Sequence, residues 1–384
     1  MDLTRSLDSA VASGVPGVVA AVTVGGKTVF EGASGVKAAG GTDPMTIDTV
    51  VAIYSMTKAV TGAAAMQLVD QGKLSLDHPA GSVLADLGNV PVLEGFAADG
   101  TPRLRPARTA ITLRHLLTHT SGFVYDMWNG DFANYLSVSG TPPLATLQKA
   151  ALRVPSMFEP GSAWQYGIGI DWVGLLVEEA SGRKLGDYLS DNIFRPLAMV
   201  DTGFAPTPAM ASRQASLHIS TPDGAVPLAV PAPEAPEFEM GGGGLVSTVH
   251  DYLRFANMIL NGGELGGVRV LQEATVDEMG RNNIGDIAVQ PLRTVNPMLT
   301  CDADFFPGME CKWGLTFLIN TERTPQGRPA NSLAWAGLAN SYYWIDRANK
   351  VCGVWASQLF PFMTPPAIEG FRAFETAFYE GFTR

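Results

Sequence analysis

Basic residues are scarce in this chain. It has 26 lysines and arginines against 37 aspartates and glutamates, which gives a formal net charge of -11 at pH 7. Nucleic acids and anionic membrane surfaces bind proteins through clusters of positive charge. The shortage of such residues argues against either as a main partner, and neutral or cationic small molecules fit the charge better.

Cysteine is also rare, since the 384 residues include only Cys301, Cys311 and Cys352. These three cannot all pair within one chain, and none has Cys-x-x-Cys spacing, so the sequence predicts no zinc ribbon and fits a reducing compartment. Residues 1–8 lack the basic and apolar regions of a secretory signal peptide. We therefore expect a cytoplasmic protein.

Long hydrophobic runs are missing. A helix that spans a bilayer needs ~20 consecutive apolar residues, and every apolar stretch here is interrupted earlier by glycine, proline or a charged residue. The sequence therefore predicts no membrane span and no membrane partner.

Several motifs of well-known active sites are absent as well. The chain has no Gly-x-Ser-x-Gly sequence, which counts against the usual α/β-hydrolase arrangement with its Ser-His-Asp triad. His115 and His119 have a spacing suited to zinc, but Leu116 stands where a zincin needs glutamate. The four glycines at 241–244 are not followed by Gly-Lys-Ser/Thr, so they predict a tight backbone crossing rather than a phosphate site. We expect no metal and no cofactor.

Hydrophobic residues make up 46% of the chain, which is enough for a substantial core. A short helix is predicted from Leu3 to Val11, and two β-rich runs, 17–24 and 27–33, meet across Gly25-Gly26 as a hairpin. Near the other end we expect strands at 314–319, 332–336, 341–346 and 351–358, followed by a helix at 365–383. These terminal parts predict an α+β fold (an α/β sandwich), in which helices flank an antiparallel sheet.

The middle of the chain has a different pattern. Helical periodicity and proline-bounded loops predominate, with candidate helices at 111–119, 143–152, 170–180 and 186–194. We therefore predict a sheet-and-helix domain of residues 1–73 and 241–384 and an inserted all-helical lobe of residues 74–240. The active site is expected in the groove between them, where ligand pockets favour forming.

The most informative motif is Ser55-Met56-Thr57-Lys58. On a helix, residues i and i+3 share a face, so the Lys58 amine can reach the Ser55 hydroxyl. Serine needs a neighbour that removes its proton, and a buried, neutral lysine can do so. The alternative is a helix-capping serine beside a solvated lysine. The apolar helix predicted behind the motif, at 59–69, favours burial and hence the pair of nucleophile and base.

A third group for proton transfer is Tyr166. A phenol close to a lysine ammonium can have a lowered pKa, so that it passes a proton to a leaving group. The alternative is a core tyrosine with a satisfied hydroxyl. From the residues alone, that alternative stays open and is the simpler one.

A predicted strand end, Trp335–Asn340, contains the remaining candidate features. Gly337 would let substrate approach the backbone closely, and a backbone N-H here could join that of Ser55 in holding a carbonyl oxygen as it becomes negative. The alternative is a glycine bulge. Aromatic residues elsewhere are candidates for an acyl pocket, although single aromatics are more often core: Tyr125, Trp128, Trp164, Phe305 and Phe306.

Taken in order, these motifs resemble the serine β-lactamase and penicillin-binding-protein superfamily, and most of all its class C β-lactamase-like carboxylesterases, the family VIII esterases. The similarity covers nearly the whole chain. It includes, besides Ser55–Lys58, the segments Gly72–Asp77, Leu116–Gly122, the Tyr166 region, Gly241–Thr248 with Asp251-Tyr252, and Trp335–Gly337.

The resemblance implies a role for each matched residue. Ser55 would be the nucleophile, Lys58 and Tyr166 the base and acid pair, and the N-H groups of Ser55 and Leu338 the oxyanion hole. His119 and Ser121 are expected to be structural. Apart from the resemblance, Trp335, Gly337 and Tyr125 are predicted to contact substrate.

Two departures from the superfamily pattern point to its esterase branch. Ile168 occupies the place of the asparagine in Tyr-x-Asn or Ser-x-Asn and can form no side-chain hydrogen bond. Trp335 replaces the lysine of Lys-Thr-Gly, which would pair with the carboxylate of a β-lactam or peptide. Both changes favour an uncharged acyl or alcohol group.

The sequence therefore predicts a serine carboxylesterase that hydrolyses short-chain, neutral, small-molecule esters through an acyl-enzyme intermediate. Three alternatives stay open. The same acyl-enzyme could serve an acyltransferase, the main task could be β-lactam hydrolysis or D-peptide cleavage, or the protein could be an inactive binding protein with an inherited fold. The sequence predicts no oligomeric state.

Overall fold

The computed structural model describes residues 2–231 and 233–382. The helices of these residues are α1 Leu3–Ala12, α2 Thr57–Asp70, α3 Leu113–Leu117, α4 Gly130–Ser139, α5 Gly169–Ser181, α6 Leu185–Leu189, α7 Pro208–Ala211, α8 Val249–Leu260, α9 Glu273–Met279 and α10 Pro365–Phe382. The strands are β1 Gly17–Val24, β2 Lys27–Gly35, β3 Val51–Ala52, β4 Pro91–Phe96, β5 Pro102–Pro106, β6 Leu217–Thr221, β7 Gly224–Leu228, β8 Val246–Ser247, β9 Glu264–Leu265, β10 Val268–Arg269, β11 Cys311–Trp313, β12 Leu318–Asn320, β13 Leu333–Gly337, β14 Ser341–Asp346, β15 Val351–Ala356 and β16 Leu359–Phe360.

The two ends of the chain together form a seven-stranded sheet in the order β11-β12-β13-β14-β15-β1-β2. Every neighbouring pair is antiparallel, and β1 joins the C-terminal strands by pairing with β15. The predicted hairpin, antiparallel sheet and terminal helices are confirmed. The strand expected at 314–319 is shorter, Leu318–Asn320, and is preceded by a further strand, β11.

Helices cover both faces of this sheet. Tyr342 and Trp344 of β14 contact Phe371 of α10, whereas Tyr343, which lies between them, contacts Tyr252 of α8. Because side chains alternate along a strand, α10 and α8 lie on opposite faces. Residues 318–319, 333–337, 341–346 and 351–356 are all buried, as expected for strands that are covered on both sides.

Helix α2 lies inside the molecule. Residues 57–68 of this helix are all buried, and the helix packs against α5 and α6. A solvent-facing helix has one polar side, but the Ala- and Val-rich α2 sequence has apolar residues all round and is therefore stable only when enclosed. Its N-terminal turn brings Lys58 into the interior.

The inserted segment differs from the prediction. Helices α3, α5 and α6 lie where helices were predicted, whereas the helix expected at 143–152 is only two 3-10 turns, and α4 and α7 were not predicted. The segment also contains two antiparallel hairpins, β4-β5 and β6-β7. The expectation of an all-helical lobe was therefore wrong. Both hairpins are short and partly exposed, so their hydrophobic pattern is weak, and β6 gains a partner far away in sequence, since it pairs in parallel with β16. The division of the chain at residues 73/74 and 240/241 stays a prediction.

The described residues contain neither a membrane-spanning helix nor a cluster of metal ligands. In residues 2–231 and 233–382, no helix is long and apolar enough to cross a membrane. The same part of the chain has no group of three or more His, Cys, Asp or Glu side chains arranged to hold a metal ion. Cys301, Cys311 and Cys352 are free thiols.

Candidate active site

Ser55 lies in the short 3-10 turn Tyr54–Met56, between β3 and the start of α2. Lys58 is in the first turn of α2, and its Nζ atom lies 3.1 Å from Ser55 Oγ. The contact expected from the i, i+3 spacing is present. Ser55 precedes the α-helix rather than starting it, but the 3-10 turn continues directly into α2 and so places both side chains on one side.

The surroundings of Lys58 favour its neutral form. The side chain has no exposed surface, and Nζ lies 3.0 Å from Tyr125 Oη and 2.6 Å from the Gly242 carbonyl oxygen. Burial lowers the pKa of Lys58 to about 7, and the nearby Asp171 carboxylate opposes this shift. At neutral pH a large fraction of Lys58 is therefore unprotonated and able to accept the proton of Ser55.

Asp171 of α5 is the second buried charged group at this site. Its Oδ1 atom accepts a hydrogen bond from the Gly242 N-H at 2.8 Å, while Oδ2 has no hydrogen-bond partner among the described residues. Burial raises the pKa of Asp171 to about 6, and Lys58 opposes this shift. The sequence reasoning missed Asp171. The available signal was a lone acidic residue near the start of the otherwise apolar segment 167–177.

Tyr166 is next to both members of the predicted pair. Its hydroxyl accepts a hydrogen bond from Trp335 Nε1 at 3.0 Å and is close enough to the Ser55 side chain for Ser55 to influence its pKa. Its ring centroid lies 4.7 Å from Lys58 Nζ. The lowered phenol pKa that the sequence suggested is wrong, because burial raises the pKa of Tyr166 well above its ordinary value. Tyr166 is therefore a protonated phenol that can donate a hydrogen bond or a proton.

An aromatic shell holds the Tyr166 ring in place. Ring centroids of His119, Trp335 and Tyr125 lie 4.5, 4.8 and 5.4 Å from it, and Trp128 completes this side at 5.6 Å. Such contacts leave the ring little freedom to rotate. His119 is itself fully buried, and burial holds its pKa well below the usual value, so it is neutral here. Its packing against Tyr166 fits the structural role that the sequence predicted.

Tyr125 has a different contact from the one expected. The sequence predicted a substrate contact, and the structure places its hydroxyl on Lys58 Nζ. Burial raises the pKa of Tyr125 well above its ordinary value, so this hydroxyl also keeps its proton. The Lys58 amine donates a hydrogen bond to this hydroxyl, which holds Nζ in place beside Ser55.

Gly337 brings the end of β13 close to the segment that carries Ser55. A Cβ atom at this position would lie 2.3 Å from the Ile53 carbonyl oxygen, which is closer than any real contact. The glycine is therefore required by backbone packing, and a direct contact of Gly337 with substrate stays a prediction. Within the described residues, neither the Ser55 N-H nor the following Leu338 N-H has a hydrogen-bond acceptor. Free amides are what an oxyanion hole requires.

Two cavities are lined in part by residues that pack against Tyr166, one by Tyr125 and the other by Trp335. One, of about 750 Å³ including space open to solvent, is lined by Tyr125 and Ile168 together with Leu144 and other apolar residues of the insertion. The other, of about 530 Å³, is lined by Trp164, Phe305, Phe306 and Trp335. Four of the predicted acyl-pocket aromatics thus line cavities. The fifth, Trp128, packs on Tyr166 and donates a hydrogen bond to Thr300.

A family model described as beta-lactamase matches residues 3–378, nearly the whole chain. The chain belongs to the beta-lactamase family. Its curated relatives include the lovastatin esterase of Penicillium rubens, which is 32% identical over 359 residues, covering 89% of this chain and 88% of the relative. They also include the monacolin J acid methylbutanoyltransferase of Aspergillus terreus, 31% identical over 350 residues, with 88% and 83% of the two chains covered.

Solved structures are similar to this beta-lactamase family member over their full length. Unliganded simvastatin synthase (LovD) from Aspergillus terreus has a TM-score of 0.83 at 27% identity, with 100% of this chain and 99% of the other covered. EstCE1, described as a hydrolase with promiscuous acyltransferase activity, has a TM-score of 0.77, and at 22% identity it shows the fold alone. The β-lactamase/penicillin-binding-protein-like fold is confirmed, and the protein is an enzyme of the serine hydrolase and acyltransferase type.

Of the predicted site residues of this beta-lactamase family member, the structure brings together Ser55, Lys58, Tyr125, Tyr166 and Trp335. It adds Asp171, which the sequence reasoning did not name, and Gly242, which was predicted only as part of a tight backbone crossing. His115 lies apart from this cluster and participates in the cap of α3, where its Nδ1 accepts from the Thr112 N-H. The catalytic role of each of these residues stays a prediction.

Proposed function

We propose that this protein is a carboxylesterase of the family VIII, class C-like type that hydrolyses short-chain, neutral esters through an acyl-enzyme at Ser55. The observation that carries the proposal is the buried Lys58 amine in contact with Ser55 Oγ at 3.1 Å. Burial lowers the pKa of Lys58 to about 7, as a general base at neutral pH requires.

The first half-reaction forms the acyl-enzyme. Ser55 Oγ attacks the ester carbonyl carbon while its proton passes to Lys58 Nζ. The carbonyl oxygen becomes negative and accepts hydrogen bonds from the Ser55 and Leu338 N-H groups. The C-O bond to the alcohol then breaks, the leaving oxygen takes a proton from the Tyr166 hydroxyl, and Lys58 returns a proton to Tyr166.

The second half-reaction releases the acid. Water attacks the acyl carbon and gives its proton to Lys58 directly or through Tyr166. The bond to Ser55 Oγ breaks, and the serine regains its proton. These steps need no group besides the side chains and backbone amides already named, and the relay is short because Ser55 contacts both Lys58 and Tyr166.

The lining of the site supports a neutral substrate. Trp335 stands where a lysine would pair with a carboxylate, and it is buried against Tyr166, Trp313 and Phe305. Ile168 lines one of the two cavities and has no side-chain hydrogen-bonding group. A β-lactam or peptide carboxylate would therefore lose its hydration without gaining a charged partner. This argues against β-lactam hydrolysis or D-peptide cleavage as the main task.

Acyl transfer is the second candidate function. It is favoured by the presence of two cavities lined by the Tyr166 neighbours Tyr125 and Trp335, because a transferase must hold both an acyl group and an acceptor. Relatives named as an esterase and as an acyltransferase match the chain almost equally well. Water and an alcohol would compete for the same acyl-Ser55.

One experiment separates these candidates. Purified protein is given a p-nitrophenyl ester of a short acid with and without a second alcohol, and both acid and new ester are measured. Mainly acid at moderate alcohol concentration supports the esterase, and mainly new ester supports the transferase. Labelling of Ser55 by a fluorophosphonate tests the acyl-enzyme chemistry itself, and failure to label would favour an inactive binding protein.

A further inference from the structure

The carboxamide of Gln358 lies beside the backbone of Ala52, three residues before Ser55. Its Oε1 accepts from the Ala52 N-H at 2.9 Å, and its Nε2 donates to the Ala52 carbonyl at 3.0 Å. Gln358 is only 3% exposed. A buried side chain thus pairs with both polar groups of one residue, as a neighbouring strand would.

This pairing has a consequence for the Ser55 N-H. In a 3-10 turn, each N-H donates to the carbonyl three residues earlier. The Met56 N-H does so, with the Ile53 carbonyl at 3.1 Å. The equivalent acceptor for Ser55 would be the Ala52 carbonyl, which is bound by Gln358, and within the described residues the Ser55 N-H has no acceptor. Gln358 fixes Ala52, and Tyr54 then turns the backbone with a φ of 43°. The Ser55 N-H is left free for an oxyanion.

The second free amide, that of Leu338, lies in a turn that Asn340 holds in place. The Asn340 N-H closes the turn on the Gly337 carbonyl at 3.0 Å. The Asn340 side chain is fully buried, with φ of 60°, and its Nδ2 donates to the carbonyls of Leu359 at 2.7 Å and Pro361 at 2.9 Å. Both amides are thus fixed to one stretch, residues 357–363.

We propose that Gln358 and Asn340, attached to the segment 357–363, are positioning residues that set the distance and orientation of the two oxyanion-hole amides. We call this pair the oxyanion brace. The inference rests on the proposed acyl-enzyme function, in which these amides stabilise the developing negative charge. The brace touches no reacting atom and acts through Ala52 and through the 337–340 turn.

The residue types fit this role. A carboxamide carries a donor and an acceptor on one planar group, so Gln358 satisfies both the N-H and the carbonyl of Ala52. Replacement by methionine keeps the length and the apolar packing but leaves two buried backbone groups without partners. Ala52 would then be held less firmly, and the Ser55 N-H that follows it would lose its fixed orientation.

The test compares Gln358→Met with Gln67→Met. Gln67 is a matched control because its Nε2 also bonds two backbone carbonyls, those of Asn192 and Val270, but it lies near the far end of α2. We expect Gln358→Met to lower kcat for a short ester by about tenfold to a hundredfold, less than the loss of a whole oxyanion donor. KM should change little. The rate of Ser55 labelling by a fluorophosphonate, whose P=O group needs the same amides, should fall in parallel.

A second variant distinguishes the loss of the Ala52 hydrogen bonds from a general folding defect. Gln358→Glu keeps the acceptor for the Ala52 N-H, and when protonated it also supplies a donor to the Ala52 carbonyl. Burial favours the protonated carboxyl group. We therefore expect a smaller defect than for Gln358→Met, and a ratio of variant to wild-type activity that rises as pH falls.

The outcomes separate the two ideas. Equal kcat and equal labelling rates for Gln358→Met and Gln67→Met, with similar melting temperatures, would overturn the oxyanion brace while leaving the esterase proposal intact. A wild-type protein that labels with fluorophosphonate but hydrolyses no ester would refute the esterase proposal, and the labelling rates would still decide on the brace. If the wild-type protein is not labelled at all, both the esterase proposal and the oxyanion brace are refuted.

Discussion

Lys58 and Asp171 are joined through a single peptide unit. The Gly242 carbonyl accepts from Lys58 Nζ at 2.6 Å, and the Gly242 N-H donates to Asp171 Oδ1 at 2.8 Å. Both side chains are fully buried, so each is destabilised as an ion by loss of water and stabilised by the charge of the other. Gly242 keeps the two groups in one polar network, and the protonation of Lys58 depends on the charge of Asp171.

The pH dependence of activity follows from this pair. Only neutral Lys58 can take the proton of Ser55, so kcat/KM should fall as pH drops through the Lys58 pKa of about 7 and level off above it. The negative charge of Asp171 stabilises protonated Lys58 and so raises its pKa. Asp171→Asn should remove that effect and move the acid limb of the pH-rate profile to lower pH.

The measurement is kcat/KM for a neutral ester between pH 5 and pH 9 in wild type and Asp171→Asn. Asp251→Asn is a suitable control, because Asp251 is also a buried carboxylate, but it accepts hydrogen bonds from the Asp201 N-H and the Thr202 hydroxyl and is not among the groups that shift the pKa of Lys58. A profile for Asp171→Asn that coincides with that of the wild type would contradict the coupling.

Ser55→Ala removes the nucleophile and should lower ester turnover at least about a thousandfold, since the remaining oxyanion donors and base cannot form an acyl-enzyme. Circular dichroism and the melting temperature should be unchanged, because Ser55 is only partly buried. Full activity of the folded variant would rule out the mechanism.

Tyr166→Phe should lower kcat by about a hundredfold to ten-thousandfold, the usual contribution of a positioned acid or base. Its phenol lies beside Ser55 and is protonated, so the variant loses the proton donor for the leaving alcohol. The defect should be smaller for p-nitrophenyl esters than for alkyl esters, because nitrophenolate needs little protonation. Tyr188→Phe, at a buried tyrosine of α6, should leave rates unchanged. Similar losses with both ester types would argue against a leaving-group acid.

Trp335→Phe tests the indole N-H that donates to Tyr166 Oη at 3.0 Å. Loss of this hydrogen bond should cost about 1 kcal/mol, or about fivefold in kcat. Trp344→Phe is the control, since Trp344 is fully buried and its Nε1 has no hydrogen-bond partner in the described part of the chain. The measurement is steady-state kinetics. Equal changes of kcat in the two variants would show that the Trp335 N-H does not support Tyr166 in catalysis.

Leu144→Trp should narrow the larger cavity, which Leu144 lines together with Tyr125 and Ile168. KM should rise for esters with a bulky acyl or alcohol group and stay the same for an acetate of a small alcohol, since small groups need not enter the narrowed part. Val138→Trp is the control, because it introduces the same residue at a half-exposed position on α4, outside the cavity lining. Kinetics with esters of graded size on each side of the carbonyl would also show which group uses this cavity.

Much of the fold was predictable because its signals are local. The Gly25-Gly26 turn between two β-rich runs gave the first hairpin, and alternation and turn residues gave β13, β14 and β15 almost to the residue. The hairpins β4-β5 and β6-β7 were not predicted. Their strands are short and partly exposed, and β6 is supported by β16, a strand more than 130 residues away, which no local pattern reports.

The same distinction applies to the site. Ser55 and Lys58 are three residues apart, so helical spacing alone indicated their contact. Tyr166 was selected by resemblance, and the direction of its pKa shift was predicted wrongly, because the sequence does not report how completely a side chain is enclosed. Asp171 was missed for the same reason.

The sequence by itself determined which groups can react here and the secondary structure that carries them, because hydroxyl, amine and phenol chemistry and 3.6-residue periodicity are properties of residues and their neighbours. Only the tertiary structure decided which of these groups are neutral and which amides are free. Burial of Lys58, the approach of Asp171 through Gly242 and the pairing of Gln358 with Ala52 all join segments that are distant in the chain, and desolvation and hydrogen bonding depend on what those segments enclose.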